Sequence, residues 1–234
     1  MSSGAARITC FPGVHALADA VAGLVASSVA DGVRRKGRAN LVLSGGSTPE
    51  AYLPLVAGLA LPWEKVSIFL ADERWVDEDS PHSNAAMVRR CLLVHAGPSR
   101  ARFVPLKNSA PNAAAGVAVA RATLPALDDR YDLVLLGMGN DGHFASLFPR
   151  SAHLADLLSP GNTQRVAAVA PPGTATPRVE RMTMTLAEIR RGDRVVLVLQ
   201  SDAKREVLDR AWRVADPVDM PVAALGNVEV FWCP

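Results

Sequence analysis

Residues 131–149 read YDLVLLGMGNDGHFASLFP. The apolar run Leu133–Leu136 has the length and composition of a strand buried on both faces. It breaks into glycines and then presents Asp141 and His143, two residues apart. The spacing Gly137-x-Gly139-x-x-Gly142 also spells a dinucleotide-binding fingerprint. Such a site needs its third glycine early in a helix and an acid about 20 positions later, ending the next strand. Here that region reads Ser159-Pro-Gly-Asn162, the nearest acid, Asp156, sits in a helix-like stretch, and the motif falls mid-chain. The glycines are therefore read as clearing space so that Asp141 and His143 face a small ligand.

Outward from this stretch, two periodicities alternate. Val14, Leu17, Ala18, Val21, Leu24, Val25, Val29 and Val33 recur at three and four residues, the signature of an amphipathic helix. Short apolar runs follow at 41–43, 66–70 and 195–199, with weaker strand candidates at 102–105, 165–170 and 227–232. Helical stretches at 49–59, 84–94, 113–124 and 203–214 lie between them, the first interrupted by Pro54, which should kink it or remove a hydrogen bond. Residues 159–177 are rich in Pro, Gly and Thr, so part of that segment should be a surface loop. Strands alternating with helices predict a three-layer α/β fold: a mostly parallel central sheet with helices on both faces. Residues 1–234 read as one domain with at most a small extra lobe.

Composition narrows the function classes. Hydrophobic residues make up 49% and charged residues 21% of 234, enough for a sizeable core. A net charge of +2 argues against a nucleic-acid partner, and the basic cluster Arg34, Arg35, Lys36 and Arg38 suits a solvated helix end. Cys10, Cys91 and Cys233 are odd in number and far apart, implying neither a disulfide frame nor a zinc site. No signal peptide is visible in MSSGAARITCFPG, and the apolar stretches fall short of a bilayer span. A cytoplasmic protein without a membrane partner is expected.

The unusual residues cluster where strands end. Residues 41–43 run into Ser44-Gly45-Gly46-Ser47-Thr48-Pro49, 66–70 into Asp72-Glu73-Arg74, 133–136 into the Asp141/His143 loop, and 195–199 into Gln200-Ser201-Asp-Ala-Lys204. The carboxyl ends of parallel strands share one edge, so four distant motifs should converge on one cleft. Ser44 to Thr48 reads as a phosphate cradle, with Thr48 capping a helix and Pro49 in its first position. The alternative is an ordinary tight turn. A nucleotide P-loop is excluded because no Gly-Lys-Ser/Thr follows. Lys204 would stand in the first turn of a helix capped by Ser201, where a cation is disfavoured unless an anion binds, although a solvated lysine reads equally well. Asp72-Glu73-Arg74 is either an exposed ion-paired turn or an anion-binding arginine oriented by carboxylates. An imidazole is mostly neutral near pH 7 and can take a proton there, and no ligand cluster of metal spacing surrounds His143. His143 is thus a candidate general base. With no Gly-x-Ser-x-Gly elbow, the attacking species is expected to be water.

Taken in order, LVLSGGSTP, FLADERWV with SPHSNAAMVRRCLL, LVLLGMGNDGHFASLFP, RMTMTL from Arg181 and the late Lys204 resemble the 6-phosphogluconolactonase family within the glucosamine-6-phosphate isomerase superfamily. The resemblance implies hydrolysis of 6-phosphoglucono-δ-lactone in the oxidative pentose phosphate pathway, with neither metal nor cofactor, by a monomer or small homo-oligomer. It puts the family's general base on His143 and a substrate-contacting arginine on Arg74. Asp141 is expected to orient the base, and Asp72, Arg181, Lys204 and the Ser44–Thr48 stretch to bind substrate. Asn140 stands where many relatives have proline, and Phe144 where threonine is common. The deaminase branch typically has Asn-Glu-Pro where this chain has Ser146-Leu-Phe-Pro149, and Asp-Glu-Tyr in place of Asp72-Glu73-Arg74. Both differences favour the lactonase over an isomerising deaminase. A sugar-phosphate sensor would need the cradle but no base.

Overall fold

The computed structural model describes residues 7–171 and 175–234. Among these, ten strands form, β1 (Ile8–Cys10), β2 (Ala39–Leu43), β3 (Val66–Leu70), β4 (Asp72–Arg74), β5 (Arg102–Val104), β6 (Leu133–Leu136), β7 (Val166–Val169), β8 (Arg181–Met184), β9 (Val195–Gln200) and β10 (Glu229–Cys233). The α-helices are α1 (Val14–Lys36), α2 (Ser47–Ala57), α3 (Asn84–Val88), α4 (Ala113–Thr123), α5 (Leu154–Leu157), α6 (Leu186–Ile189) and α7 (Asp202–Val214). A π-helical segment, Arg89–Leu93, extends α3.

The central sheet has the order β1-β10-β9-β6-β2-β3-β5, and all its pairings are parallel. Its middle strands are predominantly apolar because both faces are covered: every residue of β2 and β6 is buried, Asn40 being the one polar residue among them. Each fully buried Leu or Val there contributes roughly 1.5–3 kcal/mol relative to exposure. α1 packs on β2 and β10, and α2 and α7 on β9. This is the predicted mostly parallel sheet flanked by helices.

A second, antiparallel sheet β4-β8-β7 takes the place of the small extra lobe. The chain crosses into it at Ala71, whose N–H still donates to Leu43 of β2 while its carbonyl accepts from Met184. The 165–170 run, expected among helix-separated strands, belongs here as β7. It interrupts the 159–177 segment, whose residues 172–174 lie outside the described set.

One expectation needs correction. α1 is long and apolar enough, by length and composition, to cross a bilayer; here its apolar side faces the sheet, burying Leu17, Val21, Val25 and Val29. The basic cluster stands at a solvated helix end, as expected, and is also ion-paired. Arg35 binds Asp132 and Asp193, and Lys36 and Arg38 share Asp129. As expected of Pro54, α2 runs through it, on its exposed side, at the cost of the N–H that the Glu50 carbonyl would accept. The absence of a signal peptide was read partly from residues 1–6, which lie outside the described residues.

Candidate active site

Chain order reverses between β2 and β6: β3 and β5 lie on one side, β9, β10 and β1 on the other. At such a switch point the loops leaving adjacent strands diverge and open a crevice. A cleft of about 200 Å³ lies there, lined by Ser44, Gly45, Gly46, Ser47, Thr48, Asp72, Arg74, His143, Arg181 and Lys204. All four strand-end motifs and the RMTM segment therefore meet at one place. Asp141 stands behind His143.

The cradle differs in detail from its expected form. α2 begins at Ser47 with Gly46 as N-cap, so Thr48 and Pro49 are the second and third helical residues, both buried. Gly46 has φ of 99°, a left-handed conformation that glycine adopts without strain. No side chain caps this helix, which leaves its first N–H groups free for an anion in the cleft. A Cβ at Gly45 would overlap the Asn84 amide, so the close turn needs glycine there. Ser44, expected to donate to phosphate, instead gives its hydroxyl to the Leu135 carbonyl at 3.1 Å and ties β2 to β6.

Lys204 reaches the same cleft from α7. Ser201 caps α7, as anticipated, by accepting from the Lys204 N–H at 3.5 Å, and its own φ of 92° marks a strained turn out of β9. Lys204 makes no ion pair among the described residues, and burial alone holds its pKa below the ordinary lysine range. A half-buried ammonium without an ion pair among the described residues, in the same cleft as an uncapped helix start, is an arrangement that an anion would relieve.

The Gly137–His143 loop answers the question its glycines raise. Gly142 has φ of 82°, and a Cβ at Gly139 would overlap the His143 ring and the Asp141 carboxylate. Two glycines are thus needed for the Asp–His pair itself, which leaves no reason to invoke a dinucleotide. His143 Nδ1 lies 2.5 Å from Asp141 Oδ1, and its backbone N–H donates to the same oxygen at 3.1 Å. Burial works against ionising Asp141, but the hydrogen bonds and charge of His143 outweigh it and hold its pKa below the usual carboxylate range. An ionised Asp141 accepts a hydrogen bond from Nδ1–H, and in that tautomer the His143 lone pair is on Nε2. No other carboxylate contacts the ring among the described residues; Phe148 does, with ring centroids 4.6 Å apart.

Asp72-Glu73-Arg74 is neither an exposed turn nor a set of carboxylates orienting an arginine. It is β4, and alternation sends its side chains to opposite faces. Glu73 is fully buried and accepts from the N–H groups of Arg74, Asn84 and Ala85 and from the Ser83 hydroxyl. Burial raises its pKa, against these bonds. Arg74 is aimed by the His82 carbonyl at 2.6 Å, and its buried Nε has no partner among the described residues. Asp72 faces the cleft, accepting from Ser146 Oγ at 2.5 Å and Asn84 Nδ2 at 3.2 Å. β4 pairs Arg74 opposite Arg181 of β8. Arg181 is 3% exposed and donates to the Pro177 carbonyl, and its Nε has no partner among the described residues. Burial, and then the charge of Arg74, lower its pKa.

Sequence reasoning missed Asn84 and Ser146, which hold Asp72. The cap residue Ser83 signals the helix start beside Asn84, but nothing in the sequence signals the contact. The two family departures are separated by burial: Phe144 is a fully buried core residue, and Asn140 is exposed.

Residues 12–232 match the family of glucosamine-6-phosphate isomerases/6-phosphogluconolactonase. The chain is 35% identical to the 6-phosphogluconolactonase of Rhizobium meliloti over 98% of its own length and 99% of the relative's. It is 38% identical to that of Mesorhizobium japonicum, covering 96% and 94%. Its fold superposes on a crystal structure of a 6-phosphogluconolactonase from Shewanella baltica with a TM-score of 0.92, 35% identity and full coverage of both chains. A monomeric glucosamine-6-phosphate deaminase, 20% identical with a TM-score of 0.79 over 97% of this chain and 96% of that one, shares the fold. The chain belongs to the glucosamine-6-phosphate isomerase/6-phosphogluconolactonase family.

Proposed function

We infer that the protein is a 6-phosphogluconolactonase, opening 6-phosphoglucono-δ-lactone to 6-phosphogluconate. The observation that carries this reading is the Asp141–His143 pair, with Nε2 available, facing the same cleft as the uncapped start of α2 and the unpaired Lys204. The near-full-length lactonase relatives support it from sequence. Residues 1–234 work as one catalytic unit, since both sheets contribute cleft residues. Unpaired thiols at Cys10, Cys91 and Cys233 suit the cytoplasm.

In this reading the phosphate rests on the N–H groups and hydroxyls of Ser47 and Thr48 and on Lys204. His143 Nε2 takes a proton from water as the water oxygen bonds to the lactone carbonyl carbon. Arg74 and Arg181 stabilise the oxyanion that develops. Collapse of the tetrahedral intermediate breaks the bond from that carbon to the ring oxygen, which receives the proton back from His143. The new carboxylic acid ionises. Anchoring a remote phosphate aids the rate by orienting the carbonyl.

Supplied with each substrate, the protein is expected to consume the lactone and leave glucosamine 6-phosphate unchanged. Conversion of the latter to fructose 6-phosphate and ammonia would replace the lactonase reading with the isomerase one, and binding without turnover of either would replace it with a sensor. The lone carboxylate on His143, with Phe148 on its ring, speaks against the isomerase.

Two variants probe the parts separately. Lys204→Ala is expected to raise KM and the product Kd about 10- to 100-fold, the weight of a charge-assisted contact or two, with a smaller effect on kcat. Because burial depresses the Lys204 pKa, the charged form is lost as pH rises through a value below that of free lysine. Product affinity should therefore fall on the alkaline side in the parent and stay flat there in Lys204→Ala. Equal affinity of both proteins would remove Lys204 from the phosphate site. Gly139→Ala should lower kcat about 100-fold, because the new methyl must displace the His143 ring. Parental kcat in that variant would show that the glycine has no part in placing the base.

A further inference from the structure

The Asp141 contact fixes one edge of the His143 imidazole, and a hydrogen bond along one edge leaves the ring free to rotate about it. A base that must meet a water molecule at hydrogen-bond reach needs its plane fixed as well. Phe148 is placed to do this. Its ring is 3% exposed and lies 4.6 Å, centroid to centroid, from the His143 ring at an interplanar angle of 46°. Arg181 Cζ lies 5.7 Å from the centroid of the same ring. Both His143 and Arg181 line the cleft, whereas Phe148 does not. One buried side chain therefore touches the two cleft groups that come from different sheets: His143 from the loop after β6, Arg181 from β8.

Phe148 is itself held firmly. It lies in a segment pinned by Ser146, whose hydroxyl donates to Asp72 and whose N–H donates to Thr183, the second residue after Arg181. Ser151 N–H donates to the Phe148 carbonyl at 3.2 Å. Ala145, three residues before Phe148, has φ of 47°, so the chain takes a left-handed turn that L-residues adopt at a cost. The segment is built to aim the residues that follow.

We propose that Phe148 is a positioning residue for lactone hydrolysis, its ring fixing the plane of the His143 imidazole and holding Arg181 at a set distance from it. This inference rests on the lactonase reading. The aromatic ring is the feature required: it packs a rigid, tilted plane against the imidazole and offers an attractive surface to a guanidinium that has no carboxylate partner among the described residues. An aliphatic side chain of similar bulk would fill the space and supply neither.

The test compares the parent with Phe148→Leu and Phe148→Tyr on 6-phosphogluconolactone, each corrected for spontaneous hydrolysis. Phe148→Leu is expected to lower kcat about 10- to 100-fold, the range for a misplaced catalytic group, with KM changed less than about threefold. Phe148→Tyr, which keeps the aromatic face, is expected to retain kcat within about threefold of the parent. In NMR spectra of histidine-labelled protein, the Nδ1 proton of His143 should be sharp in the parent and Phe148→Tyr, and broadened in the leucine variant. That signature separates lost orientation from lost folding. Should Phe148→Leu not fold, Phe148→Met, whose flexible chain fills irregular space, takes its place with the same expectations. Parental kcat and an unbroadened Nδ1 proton in the folded aliphatic variant would overturn the proposal, as would equal losses in the leucine and tyrosine variants. A parent that does not accelerate the lactone at all would instead overturn the functional reading.

Discussion

His143→Ala is expected to lower kcat for lactone hydrolysis by about two to four orders of magnitude, the usual weight of a positioned general base. The residual rate would come from the phosphate anchor and the two arginines, which the substitution leaves in place. Product affinity should stay within about threefold of the parent, because the anion-binding groups belong to α2 and α7 and not to the Gly137–His143 loop. Steady-state kinetics on the lactone, together with calorimetric titration of 6-phosphogluconate, reads both halves. A variant that turns over at the parent rate would remove His143 as the base. Equal losses in turnover and affinity would make it a binding residue.

The largest expected effect on stability lies far from the cleft. Glu188, on α6, has a side chain 1% exposed and accepts from Arg165 at 2.6 and 2.8 Å, from Arg191 at 2.9 and 3.1 Å, and from the Tyr131 hydroxyl at 2.5 Å. Glu188→Ala leaves two largely buried guanidiniums and a buried hydroxyl without their acceptor. Breaking a buried pair in this way costs about 3–5 kcal/mol, so a drop in Tm on the order of 10 °C is expected. Burial opposes ionisation of Glu188, but the Arg165 and Tyr131 hydrogen bonds and the arginine charges outweigh it and hold its pKa below the ordinary value. Its contribution is therefore present above the pKa of an unfolded glutamate and lost as pH falls through the lower folded value. The gap between parent and variant should be constant through neutral pH and close below roughly pH 4. Thermal melts across that range measure it. Parent and variant melting together at pH 7 would show the network to be dispensable.

Much of this architecture is legible in the amino-acid pattern because the central strands are buried on both faces. β6, β9 up to Leu199, β2 from Leu41 and β3 from Ile68 then appear as apolar runs, and their polar continuations mark one edge of the sheet. The short strands are not legible. β1 and β4 have three residues each, too few for a period, and β8 reads Arg-Met-Thr-Met, where methionine carries no strand signal. That strand nonetheless brings Arg181 into the cleft, so the arginine's place could be inferred from family resemblance and not from periodicity. The same limit hides the aim of Arg74, which depends on a carbonyl eight residues along, and the fate of Glu73, which looks like a surface acid and is the fully buried acceptor at the start of α3. Local spacing was sufficient for Asp141 and His143, where the contact is two residues long. It could not reveal Phe148 as a neighbour of both His143 and Arg181, since the second contact crosses between sheets.

The central claim is that the cleft between β2 and β6 hydrolyses a phosphorylated lactone. It is tested most directly by following 6-phosphogluconolactone at neutral pH with increasing amounts of purified protein, against the spontaneous rate in the same buffer. The expected result is a rate above background that rises in proportion to protein and is suppressed by excess 6-phosphogluconate. A rate indistinguishable from spontaneous hydrolysis at every protein concentration would contradict it.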